Sequence, residues 1–365
     1  MSNSNNFASL DFLRAISAFL VAWGHSRFLM LVPSAEVNDI TIIDKIIYFL
    51  AGFGPQAVIV FFVLSGFFIT RSIENRLSKN TFSLKDYFID RYFRLSVVAI
   101  PAIVLTFVLD QFAFNFFHKD LLYLQRCEDW LDSSSYTLQT FFGNIFYLQT
   151  LFYNSFGSNG PLWSLAYEWW FYVLAPFVFL PLQKKKFLYI IVLLIISAFL
   201  YFTNHKILIY FIFWLFGSFA FYFSEKKLYI KFNLNWLIFF SSVFVFISAS
   251  LTRLRFVDKI FGDFLISASV ALLVYFLVKR NYQMDNKYLH FFANISYSLY
   301  ATHLPVLIFS ISFFSYFENK LQPSLYNSLL NFLFFGISII IAYLFWFVFE
   351  RNTNFIKNKI KSIFN

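Results

Sequence analysis

Apolar runs of roughly 17–25 residues recur along almost the whole chain, separated by short polar joints. A helix rises ~1.5 Å per residue, so each run matches the ~30 Å of hydrocarbon in a bilayer. Backbone groups in lipid must be satisfied internally, which leaves helices or closed barrels. Barrel strands alternate polar and apolar residues, and these runs do not. The pattern predicts an all-α polytopic membrane protein of about ten transmembrane helices. Their spans are roughly 8–30, 46–69, 95–113, 163–181, 186–203, 207–224, 234–250, 262–278, 293–315 and 327–349. The longest connection, 114–162, holds a further apolar piece at 138–153. It reads as an interfacial or re-entrant helix, because a full span there would invert every later joint.

Composition agrees with lipid as the solvent. Charged residues make up 13% of the chain, about half the share in a soluble domain. The 58 phenylalanines supply lipid-compatible bulk and carry no chemical signal. The net charge of +10 could suit nucleic acid, but the basic residues lie in the joints. Joints 70–94, 183–186, 225–231, 279–287 and 351–361 together hold 19 Lys and Arg, and the alternate set holds 8. The positive-inside rule then expects the N- and C-termini in the cytosol, and no nucleic-acid partner. The first 25 residues lack a basic start, and Asp11 and Arg14 interrupt what would be an apolar core, so no cleaved signal peptide is expected. The single cysteine, Cys127, excludes an intrachain disulfide or a cysteine metal cluster. The expected organisation is a membrane domain over 1–351 and a short basic cytosolic tail over 352–365, whose Lys357, Lys359 and Lys361 suit the inner headgroups.

Ionisable groups inside spans are costly, so each is a functional candidate. The first span carries Asp11, Arg14 and His25. At ~100° per residue, Arg14 and His25 fall within ~20° of one another on the helix, ~16 Å apart along its axis. One face thus offers a cation toward the cytosol and a titratable base toward the outside. The alternative is an Arg14 that snorkels beside Asp11, with His25 an interfacial histidine. In the segment 161–172, Asn159-Gly160-Pro161 breaks the chain just before the fourth span, and Ser164 and Glu168 share one face. Glu168 lies about as deep as His25, where a carboxylate could hold a histidine tautomer and support its protonated form. Trp163, Trp169 and Trp170 also read as an aromatic belt.

Toward the cytosol, Ser65-Gly66 lies near the inner end of the second span, where a missing side chain would let a ligand approach the backbone. Arg91 and Arg94, one turn apart, could grip phosphates or simply obey the positive-inside rule. The ninth span opens with Ser296, Tyr297, Ser298, Tyr300 and His303, a polar helix with His303 near mid-membrane, either structural or catalytic. Glu350-Arg351 closes the last span as a helix-end ion pair or a pocket wall. His118, His205 and His290 sit in joints, and no metal-ligand spacing, nucleotide-binding glycines or nucleophile elbow occurs.

Together these segments resemble the membrane acyltransferase-3 family, which moves acyl groups from acyl-CoA onto extracytoplasmic sugars and other hydroxyl compounds. The resemblance rests on Arg14 and His25 with ten residues between them, the FFVLSGF segment from Phe61 to Phe67, and the pair Arg91 and Arg94. It continues through Trp163 to Tyr172, SYSLYATHLP from Ser296 to Pro305, and Glu350, covering residues 9–351 in order. Two positions depart from the family pattern: Phe12 stands where a glycine is frequent, and Ala293-Asn294 where a Gly-Asp-like pair is frequent. The chain length also suggests a form without the extra span and C-terminal SGNH hydrolase-like domain that many O-antigen acetyltransferases carry.

The resemblance places His25 at the family's essential histidine, Arg14 at its motif partner, Arg91 and Arg94 at the arginines that meet the CoA phosphates, and Trp163 and Glu168 near the acceptor side. The spacing then suggests His25 as general base, with Glu168 orienting it or stabilising the imidazolium. The expected donor side for acetyl-CoA or another acyl-CoA comprises Arg14, Ser65, Gly66, Arg91, Arg94, Ser298 and His303, and the expected acceptor side for a carbohydrate or other hydroxyl Trp163, Ser164 and Tyr167; no metal is expected. An acyl-histidine intermediate is an alternative to direct transfer. The expected setting is the bacterial inner membrane; frequent Phe, Ile, Asn and Lys point to an AT-rich bacterial genome. Rival readings are a glycolipid or metabolite transporter or flippase, since intramembrane charges also mark transport paths, and acylation of a small non-carbohydrate molecule.

Overall fold

The computed structural model describes residues 7–116, 133–184, 187–226, 229–281, 287–314 and 320–363. His118, Lys119, Arg126 and Cys127 lie outside the described residues. The described residues form α-helices joined by turns and short 3₁₀ segments, with no strand beyond two isolated bridges. In chain order the helices are α1 (Ala8–Met30), α2 (Ile42–Ala51), α3 (Gly54–Ser78), α4 (Leu84–Phe116) and α5 (Leu138–Ile145). They continue with α6 (Leu162–Lys184), α7 (Phe187–Asn204), α8 (Lys206–Glu225), α9 (Leu234–Arg253) and α10 (Lys259–Arg280). The last three are α11 (Lys287–Phe314), α12 (Leu325–Val348) and α13 (Thr353–Ile363).

Among the described residues, eight stretches are long and apolar enough to cross a membrane. The chain is therefore an all-α, multi-pass membrane protein. The 23-residue helices α1 and α6 are long enough but not among the eight. They carry Asp11, Arg14, His25 and Glu168. The helix α7 makes the lipid environment plainest: of its residues only Leu200 is buried, while Phe187, Leu188, Leu194, Ile195 and Phe202 lie open. Apolar area on that scale, on a helix long and apolar enough to cross a membrane, fits a face turned to lipid.

Helix ends depart from the expected spans where local chemistry intervenes. The second span, expected as one helix over 46–69, is two. Gly52 caps α2, and α3 begins at Gly54 with Pro55 in its first turn, where a missing N–H is harmless. The charged joint expected over 70–94 is almost entirely helical. The helix α3 runs to Ser78 and α4 starts at Leu84, so Arg91 and Arg94 stand on a helix. His290 lies in the first turn of α11 rather than in a joint. The eight-residue α5 spans ~12 Å and cannot cross the hydrocarbon.

The chain packs as two compact units. The first comprises Met1–Ser17, Pro55–Arg91 and Tyr167–Ala293. Here α3 and α8 cross through a pair of glycines. A Cβ on Gly66 would stand 2.0 Å from the Trp214 carbonyl oxygen, and one on Gly217 1.9 Å from that of Val63. The space at Gly66, expected to admit a ligand, is filled by the backbone of α8. Pro176 deprives the Tyr172 carbonyl of its helical donor, and the Tyr87 hydroxyl donates to it instead at 3.0 Å.

The second unit comprises Ala18–Gly54, Tyr92–Ala166 and Asn294–Asn365. Its core gathers Leu29, Met30, Tyr48, Leu304, Leu307 and Phe334. Pro305 frees the Ala301 carbonyl, and Asn159 Nδ2 donates to it at 2.9 Å. The loop before α6 is knit from within by Asp110, fully buried in α4. Its carboxylate accepts from the Ser158 amide (2.9 Å), the Ser158 hydroxyl (2.7 Å) and the Tyr136 hydroxyl (2.9 Å).

Two outcomes follow. Gly66→Ala and Gly217→Ala should each overpack the α3–α8 crossing by about 1–3 kcal/mol or more and lower the detergent melting temperature. Gly336→Ala, with nothing within 4 Å of its Cβ, should leave it unchanged or raised. Asp110→Ala strands three donors, at about 1–3 kcal/mol for each left unanswered, and should likewise lower the midpoint in a fluorescence-detected size-exclusion melt.

Candidate functional site

In the second unit, α1 and α11 bring two histidines together. His25 Nδ1 lies 2.9 Å from His303 Nε2, and the rings stack with centroids 5.1 Å apart. His303 is fully buried. Its Nδ1 donates to the carbonyls of Leu299 at 3.0 Å and Tyr300 at 2.8 Å, one turn back on α11. The Tyr300 ring lies against His303, and its hydroxyl is 2.5 Å from Ser164 Oγ at the start of α6. Ser164 is buried, with a second contact to the Pro161 carbonyl at 3.1 Å. Next to His25, Ser26 Oγ donates to the Asn331 carbonyl and accepts from Asn331 Nδ2, which ties α1 to α12. Trp163, in the first turn of α6, is partly buried.

Farther along α11, Ser298 meets Glu350. The carboxylate accepts from the Ser298 hydroxyl at 2.7 Å and its amide at 3.3 Å. Its other oxygen takes Arg94 Nη1 at 3.1 Å, while the guanidinium lies over the Tyr297 ring. Ser298 and His303 are five residues apart on one helix, ~7.5 Å along its axis. The same segment of α11 therefore touches an arginine-carboxylate pair at one end and the histidine pair at the other.

The first unit holds the remaining candidates. Glu168 accepts from Ser65 Oγ at 3.1 Å and from the Tyr172 hydroxyl, while Trp214 Nε1 donates to Ser65 at 3.2 Å. Ser65 is thus bound to a carboxylate and an indole, and Gly66 is packed against the α8 backbone. Arg91 donates to Ser72 at 2.6 Å and lies over the Tyr87 ring, and its Nε is buried without an acceptor. Arg14 pairs with Asp11 at 3.4 Å and lies over Phe68, as one reading of the sequence expects. Tyr167 is buried, receives Asn204 Nδ2 at 3.3 Å and packs beside Tyr210. Tyr210 and Lys259 both donate to Asp263, at 2.9 and 2.7 Å.

A second histidine stands at His25 Nδ1, a pairing that the spacing within either helix does not encode. The available signal was His303 itself, a titratable group at mid-span. Asp110 and Asp263 were also missed, although each is a lone carboxylate within an apolar run. Glu350 is both an ion-pair partner and the clamp on Ser298.

No solved structure matches this chain. A stretch of 162 residues is 35% identical to the peptidoglycan O-acetyltransferase OatA of Listeria monocytogenes, covering 42% of this chain and 25% of that protein. A stretch of 149 residues is 32% identical to an uncharacterized protein of Haemophilus influenzae, covering 39% of this chain and 56% of the relative. The chain thus spans a quarter and about half of these two relatives' lengths. Residues 7–351 match the family described as "Acyltransferase domain" (acyltransferase-3), from the helix that carries Arg14 and His25 to the turn that carries Glu350. The chain belongs to the membrane acyltransferase-3 family.

Proposed function

We propose that this protein is an acyl-CoA-dependent O-acyltransferase of the bacterial inner membrane. In this reading it moves acetyl from cytosolic acetyl-CoA to a hydroxyl of a cell-envelope glycan on the opposite face. The observation that carries the reading is α1, one unbroken helix that holds Arg14 and His25. The ~16 Å between them is comparable with the pantetheine arm of coenzyme A, so phosphates near the cation would leave the thioester near the imidazole. The 35% identity to a peptidoglycan O-acetyltransferase over part of the chain supports acetyl as the acyl group and a glycan as the acceptor.

An imidazole nitrogen of His25 takes the proton of the acceptor hydroxyl as its oxygen attacks the thioester carbonyl. The tetrahedral oxyanion that forms needs donors; Ser164 and Trp163 are the candidates near the start of α6. The carbonyl reforms, the C–S bond breaks, and the imidazolium returns its proton to the departing thiolate. The products are an acetyl ester and coenzyme A. Arg91 and Arg94, one turn apart on α4, are assigned the coenzyme A phosphates, and the acceptor-less Nε of Arg91 suits an added anion. Glu168 is assigned to the charge balance of the reaction, its carboxylate held by Ser65 and Tyr172.

Purified protein in liposomes should release free thiol from acetyl-CoA. His25→Ala should reduce that release by about 10²–10⁴-fold; release that survives the substitution would sink the assignment of the base. Arg91→Ala should raise KM for acetyl-CoA about ten-fold or more, with kcat little changed. An unchanged KM would remove Arg91 from the donor site.

A further inference from the structure

We infer that His303 is a positioning residue for His25: it fixes the tautomer and so selects Nε2 as the basic nitrogen. This inference rests on the reading of His25 as the general base. His303 Nδ1 faces two backbone carbonyls, of Leu299 and Tyr300, at 3.0 and 2.8 Å. Carbonyl oxygens only accept, so Nδ1 must carry the hydrogen, and the lone pair of neutral His303 resides on Nε2. That lone pair stands 2.9 Å from His25 Nδ1, so toward His303 the His25 Nδ1 must be the donor, while His25 also hydrogen-bonds the Val21 carbonyl one turn back on α1. Neutral His25 is then the Nδ1–H tautomer, with its lone pair on Nε2.

Two one-turn carbonyls of α11 thereby set the protonation of a ring on α1, 278 residues away in sequence. The pinning is firm because His303 is fully buried and its ring is packed against Tyr300. Ser26 and Asn331 fix the neighbouring turn of α1. When Nε2 takes the proton of an acceptor hydroxyl, His25 becomes imidazolium and its Nδ1–H bond to His303 becomes charge-assisted. If the Nδ1 proton crosses to His303, the resulting cation still donates to both carbonyls. A neutral imidazole can in this way fill the orienting role that a carboxylate fills in a catalytic triad.

The test pairs spectroscopy with kinetics on the full-length protein in liposomes. With ¹⁵N-labelled histidine, wild type should show His25 with a protonated Nδ1 and a bare Nε2, and His303 likewise. His303→Phe removes the imidazole acceptor, leaving the Val21 carbonyl, and should raise the share of His25 in the Nε2–H form. It should lower kcat for acetyl-CoA turnover about 10–100-fold, a usual penalty for losing an orienting partner, with KM for acetyl-CoA within about two-fold. His303→Gln places an amide oxygen near the lost Nε2 and should restore the Nδ1–H tautomer and most of kcat. A wild-type His25 protonated on Nε2, or a His303→Phe enzyme with unaltered kcat, overturns the inference while leaving His25 as base. Loss of the base reading itself is signalled separately, by full turnover in His25→Ala.

Discussion

A polar group in the interior of a bilayer has no water to turn to, and one left unanswered costs several kcal/mol. That constraint organises this structure more than any packing motif does. Where Pro176 and Pro305 break the helical ladder, the freed carbonyls of Tyr172 and Ala301 receive Tyr87 and Asn159. The buried carboxylate of Asp110 is met by three donors, and Glu350 by Arg94 and Ser298. Even the interior histidine His303 has both ring nitrogens engaged. Every such side chain ties two elements together at a defined register, so polar groups do the specifying that hydrophobic area cannot do in lipid.

The same constraint explains how a scaffold of this kind can hold reactive groups. Each of the two units contains its own satisfied polar network. In one, Trp214, Ser65, Glu168 and Tyr172 are linked in series. In the other, Ser164, Tyr300, His303 and His25 are linked, with Glu350, Arg94 and Ser298 on the same helix. A side chain held on two sides keeps its orientation before substrate arrives, and pre-set dipoles and donors are the main means by which an enzyme lowers a charged transition state. The proposed transfer asks for little beyond that: a base with a defined lone pair, cations for a phosphorylated donor, and donors for an oxyanion.

Much of the fold was legible in the sequence because lipid simplifies the problem. Length and apolar character place α1 at 8–30, and the charges of the later joints argue against a full span at 138–153. What they miss is punctuation and pairing. Gly52 and Pro55 divide the expected second span because an apolar average does not register one cap and one missing N–H. The charged residues 84–94 continue α4, since a helix need not stop where the hydrocarbon does. Gly66 read as an opening for a ligand, yet a glycine also permits another helix to approach, and only the position of α8 separates the two. For the site, residue types and spacing singled out His25 and His303 separately. Their contact joins positions 278 apart, which no local pattern encodes. Asp110 was equally visible as a lone carboxylate in an apolar run, but its role in binding the loop before α6 depends on Tyr136 and Ser158.

In the proposed reaction, donor and acceptor meet the protein from opposite faces of the membrane. Sealed right-side-out membrane vesicles containing the protein, loaded with acetyl-CoA and given a glycan acceptor outside, test it directly by mass spectrometry of the external glycan. The account predicts acetylated glycan outside when acetyl-CoA is enclosed, and none when acetyl-CoA is supplied only to the outer face. Acetylation that requires donor and acceptor on the same face would contradict it.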